Sequence, residues 1–122
     1  MLRRLLLPSA LLAVSLVAVS AGNAGTSGGH ALSGVVGPGF SIEVKQGTKD
    51  VKTLKAGTYT IKVQDKASTH DFHLTGPGVD KSTAVGTTST VSWTVKLKPG
   101  TYTYKCDPHA AMGMQHTFRV TK

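Results

Sequence analysis

Cys106 is the sole cysteine of this 122-residue chain, and it opens the stretch Cys106-Asp-Pro-His109-Ala-Ala-Met112-Gly-Met114. A thiol, an imidazole and two thioethers therefore fall within nine residues. Soft sulfur combined with imidazole nitrogen favours copper and also suits zinc. Two imidazoles and one thiolate in a plane, with a weak and distant methionine, make a copper site suited to electron transfer, so this loop requires a second histidine from elsewhere in the chain. His70 and His73 are available in Ser68-Thr-His70-Asp71-Phe72-His73-Leu-Thr-Gly76. On a strand, His70 and Phe72 share one face while Asp71 and His73 share the other. Phe72 marks the core side, which makes His70 the expected inward ligand and leaves His73 within reach. His116, just past Met114, is a weaker candidate.

The other end of the chain bears on the same chemistry. Arg3 and Arg4, the apolar run Leu5 to Val19, and the small residues Val19-Ser-Ala21 and Gly22-Asn-Ala24 read as an export signal over 1–24, cleaved after Ala21 or Ala24. The run is broken by Pro8, Ser9 and Ser15 and falls short of the roughly 20 apolar residues that cross a bilayer, which argues against an anchor. The Arg-Arg pair leaves the twin-arginine route open beside the general one. Export places an unpaired thiol where thiols oxidise, and a bound metal ion is the natural protector.

After cleavage roughly 98 residues remain, enough for one small domain. Fourteen basic residues, less Arg3 and Arg4, against six acidic ones leave the exported form near +6. That balance suits acidic partners or anionic surfaces. The spacing of Lys45, Lys49, Lys52, Lys55, Lys62 and Lys66 also fits lysines spread along strand edges, where they discourage edge pairing. No arginine–aromatic cluster points to nucleic acid.

Residues 25–39, rich in Gly and Ser, read as a flexible linker, with His30 exposed inside it. From Phe40 onward the apolar pattern has period two and turn punctuation, so residues 40–122 are expected to be all-β. Strands are expected over Phe40 to Val44, Thr58 to Gln64, His70 to Leu74, Val91 to Leu97, Thr101 to Cys106 and Thr117 to Val120, with shorter ones around Val51 and Val85. An internal echo supports the layout: Leu54-Lys-Ala-Gly-Thr-Tyr-Thr-Ile-Lys-Val63 and Leu97-Lys-Pro-Gly-Thr-Tyr-Thr-Tyr-Lys-Cys106 agree at seven of ten positions. It sets Cys106 where its counterpart has Val63, at the end of the inward row Tyr102, Tyr104, Cys106. Tyr102 is a candidate corner tyrosine that bonds back to its turn.

From about Phe40 to Lys122 the chain resembles the cupredoxins, the blue copper proteins, and among them the plastocyanin-like group. The resemblance rests on Leu97-Lys-Pro-Gly-Thr-Tyr-Thr-Tyr-Lys-Cys106-Asp-Pro-His109-Ala-Ala-Met-Gly-Met114-Gln-His-Thr-Phe-Arg-Val120, which follows the family's order of strand, Cys-x-x-His, Gly-Met and final strand. It implies a Greek-key β-sandwich of about six to eight strands and one copper ion cycling between Cu(I) and Cu(II). It also implies His70, Cys106, His109 and Met114 as ligands. Two positions depart from the pattern: Asp71 stands where the family commonly has an Asn that steadies the ligand loop, and His116 where it often has Gly. Met112 competes with Met114, since a shorter spacing occurs in relatives resembling amicyanin.

The reading is thus an exported protein, periplasmic, extracellular or associated with the cell surface, that carries single electrons between redox proteins. It is expected to be a monomer, with no nucleic-acid partner and no stable membrane insertion. An extracytoplasmic copper carrier or buffer is the alternative. A third reading, an adhesion module with an inert buried cysteine, leaves the ligand spacing of His109 and Met114 without a reason. An enzymatic Cys/His pair would need an orienting third group and a cleft that so small a β-domain has little room to build.

Overall fold

Every second side chain of Gly57–Asp65 is buried, namely Tyr59, Ile61, Val63 and Asp65. In Gly100–Lys105 the buried side chains are Tyr102 and Tyr104, and Cys106 continues that row just past the strand. This period-two burial is what a sheet with one face on a core requires. The computed structural model describes residues 30–122. The expected leader over 1–24 and residues 25–29 of the expected linker lie outside the described residues.

Among the described residues ten strands run in order: β1 (Ala31–Val36), β2 (Ile42–Gln46), β3 (Lys49–Asp50), β4 (Thr53–Lys55), β5 (Gly57–Asp65), β6 (His73–Gly76), β7 (Val79–Ser82), β8 (Ser89–Leu97), β9 (Gly100–Lys105) and β10 (Gln115–Thr121). A 3-10 helix, Asp107–Met112, separates the last two. They form two five-stranded sheets, ordered β3-β2-β1-β5-β8 and β4-β10-β9-β6-β7. β1 runs parallel to β5 and β10 parallel to β4, and the other pairs are antiparallel. The fold is an all-β sandwich, with Leu32, Val44, Ile61 and Val63 of one sheet sharing a core with Leu74, Tyr102, Tyr104 and Phe118 of the other.

Aromatic stacking orders that core. Phe72 lies parallel to Tyr104 at 6.0 Å, and Tyr102 parallel to Phe118 at 5.4 Å. The Tyr102 hydroxyl accepts the Lys98 N–H at 2.9 Å and donates to the Pro77 carbonyl at 2.8 Å, so it does tie back to its own turn. Its counterpart in the echo, Tyr59, donates to the Lys55 carbonyl at 2.7 Å. Two glycines make room for these rings: a Cβ on Gly34 would stand 2.8 Å from Phe72 Cζ, and one on Gly76 would run into the Tyr102 ring.

Three expectations are corrected. Residues 31–36 are no linker but β1, paired on both sides within the first sheet. Leu32 and Val36 point inward, and the Ser and Gly between them, which made the segment look like a tether, include the glycine that Phe72 needs. The strand expected from His70 begins only at His73, because His70, Asp71 and Phe72 are consecutively buried and do not alternate. That stretch is pinned instead by a polar chain: the Phe72 N–H donates to Thr83 Oγ1 at 2.8 Å, and Thr83 Oγ1 donates to buried Asp65 at 2.8 Å. Near Val85 there is no strand; β7 ends at Ser82 and Val85 is exposed.

Packing this tight has a measurable cost when disturbed. Gly76→Ala is expected to destabilise the fold by about 2–3 kcal/mol, the overpacking range, whereas Gly39→Ala, with no atom within 4 Å of the added carbon, should leave the melting temperature nearly unchanged. Thermal unfolding followed by circular dichroism compares the two.

Candidate metal centre

Cys106 sits one residue past β9, where the inward row of that strand meets the rim of the sandwich. The chain then turns through the 3-10 helix, which Pro108 helps to start. The His109 N–H donates to the Cys106 carbonyl at 3.1 Å. Gly113, at φ 96°, ends the helix in a left-handed conformation that disfavours residues with a side chain. The Met114 N–H then donates to the His109 carbonyl at 3.3 Å, and the Cys106 N–H to the Met114 carbonyl at 3.0 Å. This last bond closes the loop and brings Met114, fully buried, back beside Cys106, whereas Met112 is 65% exposed.

His70 arrives from the other side of the sandwich's rim, on the connection between β5 and β6, and is buried. Its Nδ1 lies 3.0 Å from His109 Nδ1 and 3.6 Å from Cys106 Sγ, and the His109 Nδ1 to Cys106 Sγ distance is 3.4 Å. A triangle with these sides has a centre about 2 Å from each corner, the length at which imidazole nitrogen binds a first-row divalent ion. Two facing Nδ1 atoms can share only one proton, whereas a cation between them and the sulfur engages all three lone pairs. Burial pushes the Cys106 thiol above its ordinary range, so the proton is held until a cation displaces it. The donor set fits a trigonal copper site.

Around this triangle lies a charged network that sequence reasoning read only in part. Asp71 does the work expected of an Asn at its position, since its Oδ1 accepts the Asp107 N–H at 2.6 Å and ties the ligand loop to the His70 segment. Burial first, and then the neighbouring Asp107, push the Asp71 carboxyl up. Burial also acts to raise Asp107, but hydrogen bonds from Asp71 and His73 outweigh it and hold its carboxyl below the usual carboxylate range. The two carboxyls are thus pushed apart, Asp71 upward and Asp107 downward.

His73 is turned away from the triangle. Its Nδ1 meets Asp107 at 2.9 Å and its Nε2 meets Asp80 at 2.6 Å. Burial favours the neutral ring, yet the two carboxylates outweigh it and push His73 up, and the ring bridges Asp107 and Asp80. His116 is exposed and tilted against Tyr104 at 5.7 Å, and exposed His30 meets Tyr59 edge-on at 5.2 Å. Phe40, placed beyond the expected linker and read only as the start of a strand, lies instead in the β1–β2 loop with its ring against both His70 and His109. No periodicity in the sequence signals that contact.

The family model described as copper binding proteins, plastocyanin/azurin family, matches residues 30–121. Among solved structures the chain is similar to reduced rusticyanin, at a TM-score of 0.54 and 24% identity over 75% of this chain and 78% of that one. Rusticyanin from Thiobacillus ferrooxidans aligns with a TM-score of 0.52 and 22% identity, over 75% and 76% of the two chains. Dithionite-reduced auracyanin from the photosynthetic bacterium Roseiflexus castenholzii gives 0.56 and 17%, over 76% of this chain and 98% of that one. At these identities the solved structures speak for the fold, while the family match spans nearly all the described residues. The chain belongs to the plastocyanin/azurin family of copper binding proteins, the cupredoxins, with one copper ion as its cofactor.

Proposed function

We propose that this protein is an exported blue copper protein that carries single electrons between redox partners and catalyses no reaction of its own. The observation that carries the reading is the donor triangle of His70, Cys106 and His109, with buried Met114 closing the same loop. In this reading Cys106 would be the strong ligand, His70 and His109 would bind beside it, and Met114 would add a weak thioether contact. Burial of Met114 against the exposure of Met112 favours this choice between the two methionines.

When bound, copper supplies a centre that gains and loses one electron; the protein's part is to hold one geometry for both states. The β9 and β10 ladder, the Asp71 bond to the loop and the Thr83 clamp on Phe72 each fix one segment that bears a ligand. His109 is half-buried, with Pro108, Ala111 and Met112 exposed around it, which makes an uncharged face for close approach of a partner. A carboxylate there would have to be desolvated on docking. The positive balance of the exported form favours an acidic partner at low salt. No helix among the described residues is long and apolar enough to cross a membrane. Export rests on the leader at residues 1–24.

The visible spectrum of the copper-loaded protein tests the reading directly, since a thiolate–copper bond is intensely coloured and cycles with reductant. Cys106→Ser and His70→Ala should each lose the blue colour, while His73→Ala should keep it; a blue Cys106→Ser protein overturns the assignment. Colourless, readily exchanged Cu(I) in the wild type would instead make the protein a copper carrier or buffer.

Voltammetry separates the methionines. Met114→Leu should shift the reduction potential with copper still bound, because a weakly bound thioether would contribute more to the electronics than to affinity. Met112→Leu should leave the potential where it is, and a large shift from that variant alone would reverse the assignment.

A further inference from the structure

Phe40 is 64% exposed, as no other phenylalanine, tyrosine or tryptophan among the described residues is. Its ring nevertheless stands edge-on to two imidazoles at once. The centroids lie 5.6 Å apart at 73° for His70, and 5.0 Å apart at 81° for His109. The two imidazoles meet each other at 4.8 Å and 78°. Three rings thus stand nearly perpendicular in pairs, the arrangement in which positive ring edges meet negative faces.

The loop that delivers Phe40 is fitted to the same histidines. Gly37, at φ +73°, lies so near His70 that an added Cβ would stand 3.0 Å from its Cδ2. The Gly37 N–H donates to the Ser41 carbonyl at 2.9 Å, which closes the loop around Pro38, Gly39 and Phe40. Meanwhile the backbone beneath the imidazoles is held by loop hydrogen bonds and not by a strand ladder. His70 belongs to no strand, and His109 rides on a six-residue 3-10 helix with no buried residue. Main-chain hydrogen bonds fix where these residues start but not the angle of their rings; a neighbour in contact with both rings does.

We propose that Phe40 is a positioning residue for the copper ligands: its ring holds the imidazoles of His70 and His109 with both Nδ1 atoms turned toward Cys106 Sγ, and screens the pair from competing ligands. The proposal rests on the assignment of these two histidines as ligands. A site held ready in this way loses little freedom when metal binds, and its metal leaves only when the covering ring moves aside.

The test compares wild type with Phe40→Ala, Phe40→Leu and Phe40→Tyr, both metal-free and copper-loaded. In metal-free wild type, proton NMR should show nuclear Overhauser contacts from Phe40 to both imidazoles, and Phe40→Ala should show averaged His70 and His109 ring signals. Copper(I) should pass to a chelator about tenfold faster from Phe40→Ala, as expected for the loss of two edge-to-face contacts. Phe40→Tyr should restore the wild-type rate and Phe40→Leu only part of it. The metal-free melting temperature should fall by only several degrees, since the same two contacts are lost there, and the fold should stay intact. Should Phe40→Ala unfold instead, Phe40→Leu against Phe40→Tyr reads the same contrast. Sharp unaveraged ring signals with a wild-type release rate in Phe40→Ala overturn the proposal, and so does full rescue by Phe40→Leu, which would assign the effect to bulk alone. Wild-type protein that shows the ring contacts but takes up no copper would refute the ligand assignment while upholding the hold of Phe40 on the two rings.

Discussion

The register of β9 against β10 is the constraint on which the centre depends. Tyr102 pairs with Phe118 and Tyr104 with His116 along that ladder, and the pleat then sends Cys106 inward at the rim. A slip of one residue would turn Tyr102, Tyr104 and Cys106 outward together, so the packing of two tyrosines and the direction of one thiol are a single choice. Stacking of Tyr102 on Phe118 and of Tyr104 on Phe72, with Gly76 and Gly34 giving the rings room, makes that choice costly to reverse. The copper centre is in this sense an extension of the hydrophobic core, and its geometry inherits the core's rigidity.

Beside this apolar frame runs a polar seam. A carboxylate next to a buried thiol adds a desolvation cost that the family's usual Asn avoids. Here the cost is offset by partners: Asp71 accepts the Asp107 N–H, and His73 faces Asp107 on one side and Asp80 on the other. Exposed ion pairs contribute little on their own. These meet at Asp107, the residue after Cys106, whose backbone N–H is also held by Asp71, so their effect is to hold the loop rather than to add to overall stability. The same seam explains why His73, near in sequence, does not join the donor triangle: both of its ring nitrogens are engaged elsewhere.

Much of the centre could be read from the chain. Donor types and spacing single out Cys106 and His109 and leave Met112 and Met114 both in reach, because the chemistry of a soft metal restricts the ligand types and one short loop supplies them. Alternation marked the rows Tyr59, Ile61, Val63 and Tyr102, Tyr104, Cys106, since a strand with one buried face must repeat every two residues. The reason for choosing His70 did not survive: the face argument assumed a strand where three consecutive residues are buried, and His70 reaches the triangle because Phe72 is clamped by Thr83 and Asp65.

What composition concealed was contact across the fold. Residues 31–36 look like a tether because Ser33 and Gly34 are small, yet Gly34 is small because Phe72, far along the chain, lies against it. Phe40 looks like the start of a strand and is a ring set on two histidines. The amino-acid sequence by itself determined which atoms could bind a metal and which strand faces turn inward, because both follow from side-chain chemistry and local periodicity. Only the tertiary structure decided which histidine meets the thiol, which methionine is buried and what covers the site, because each depends on segments that are distant in sequence and brought together by the packing of two sheets.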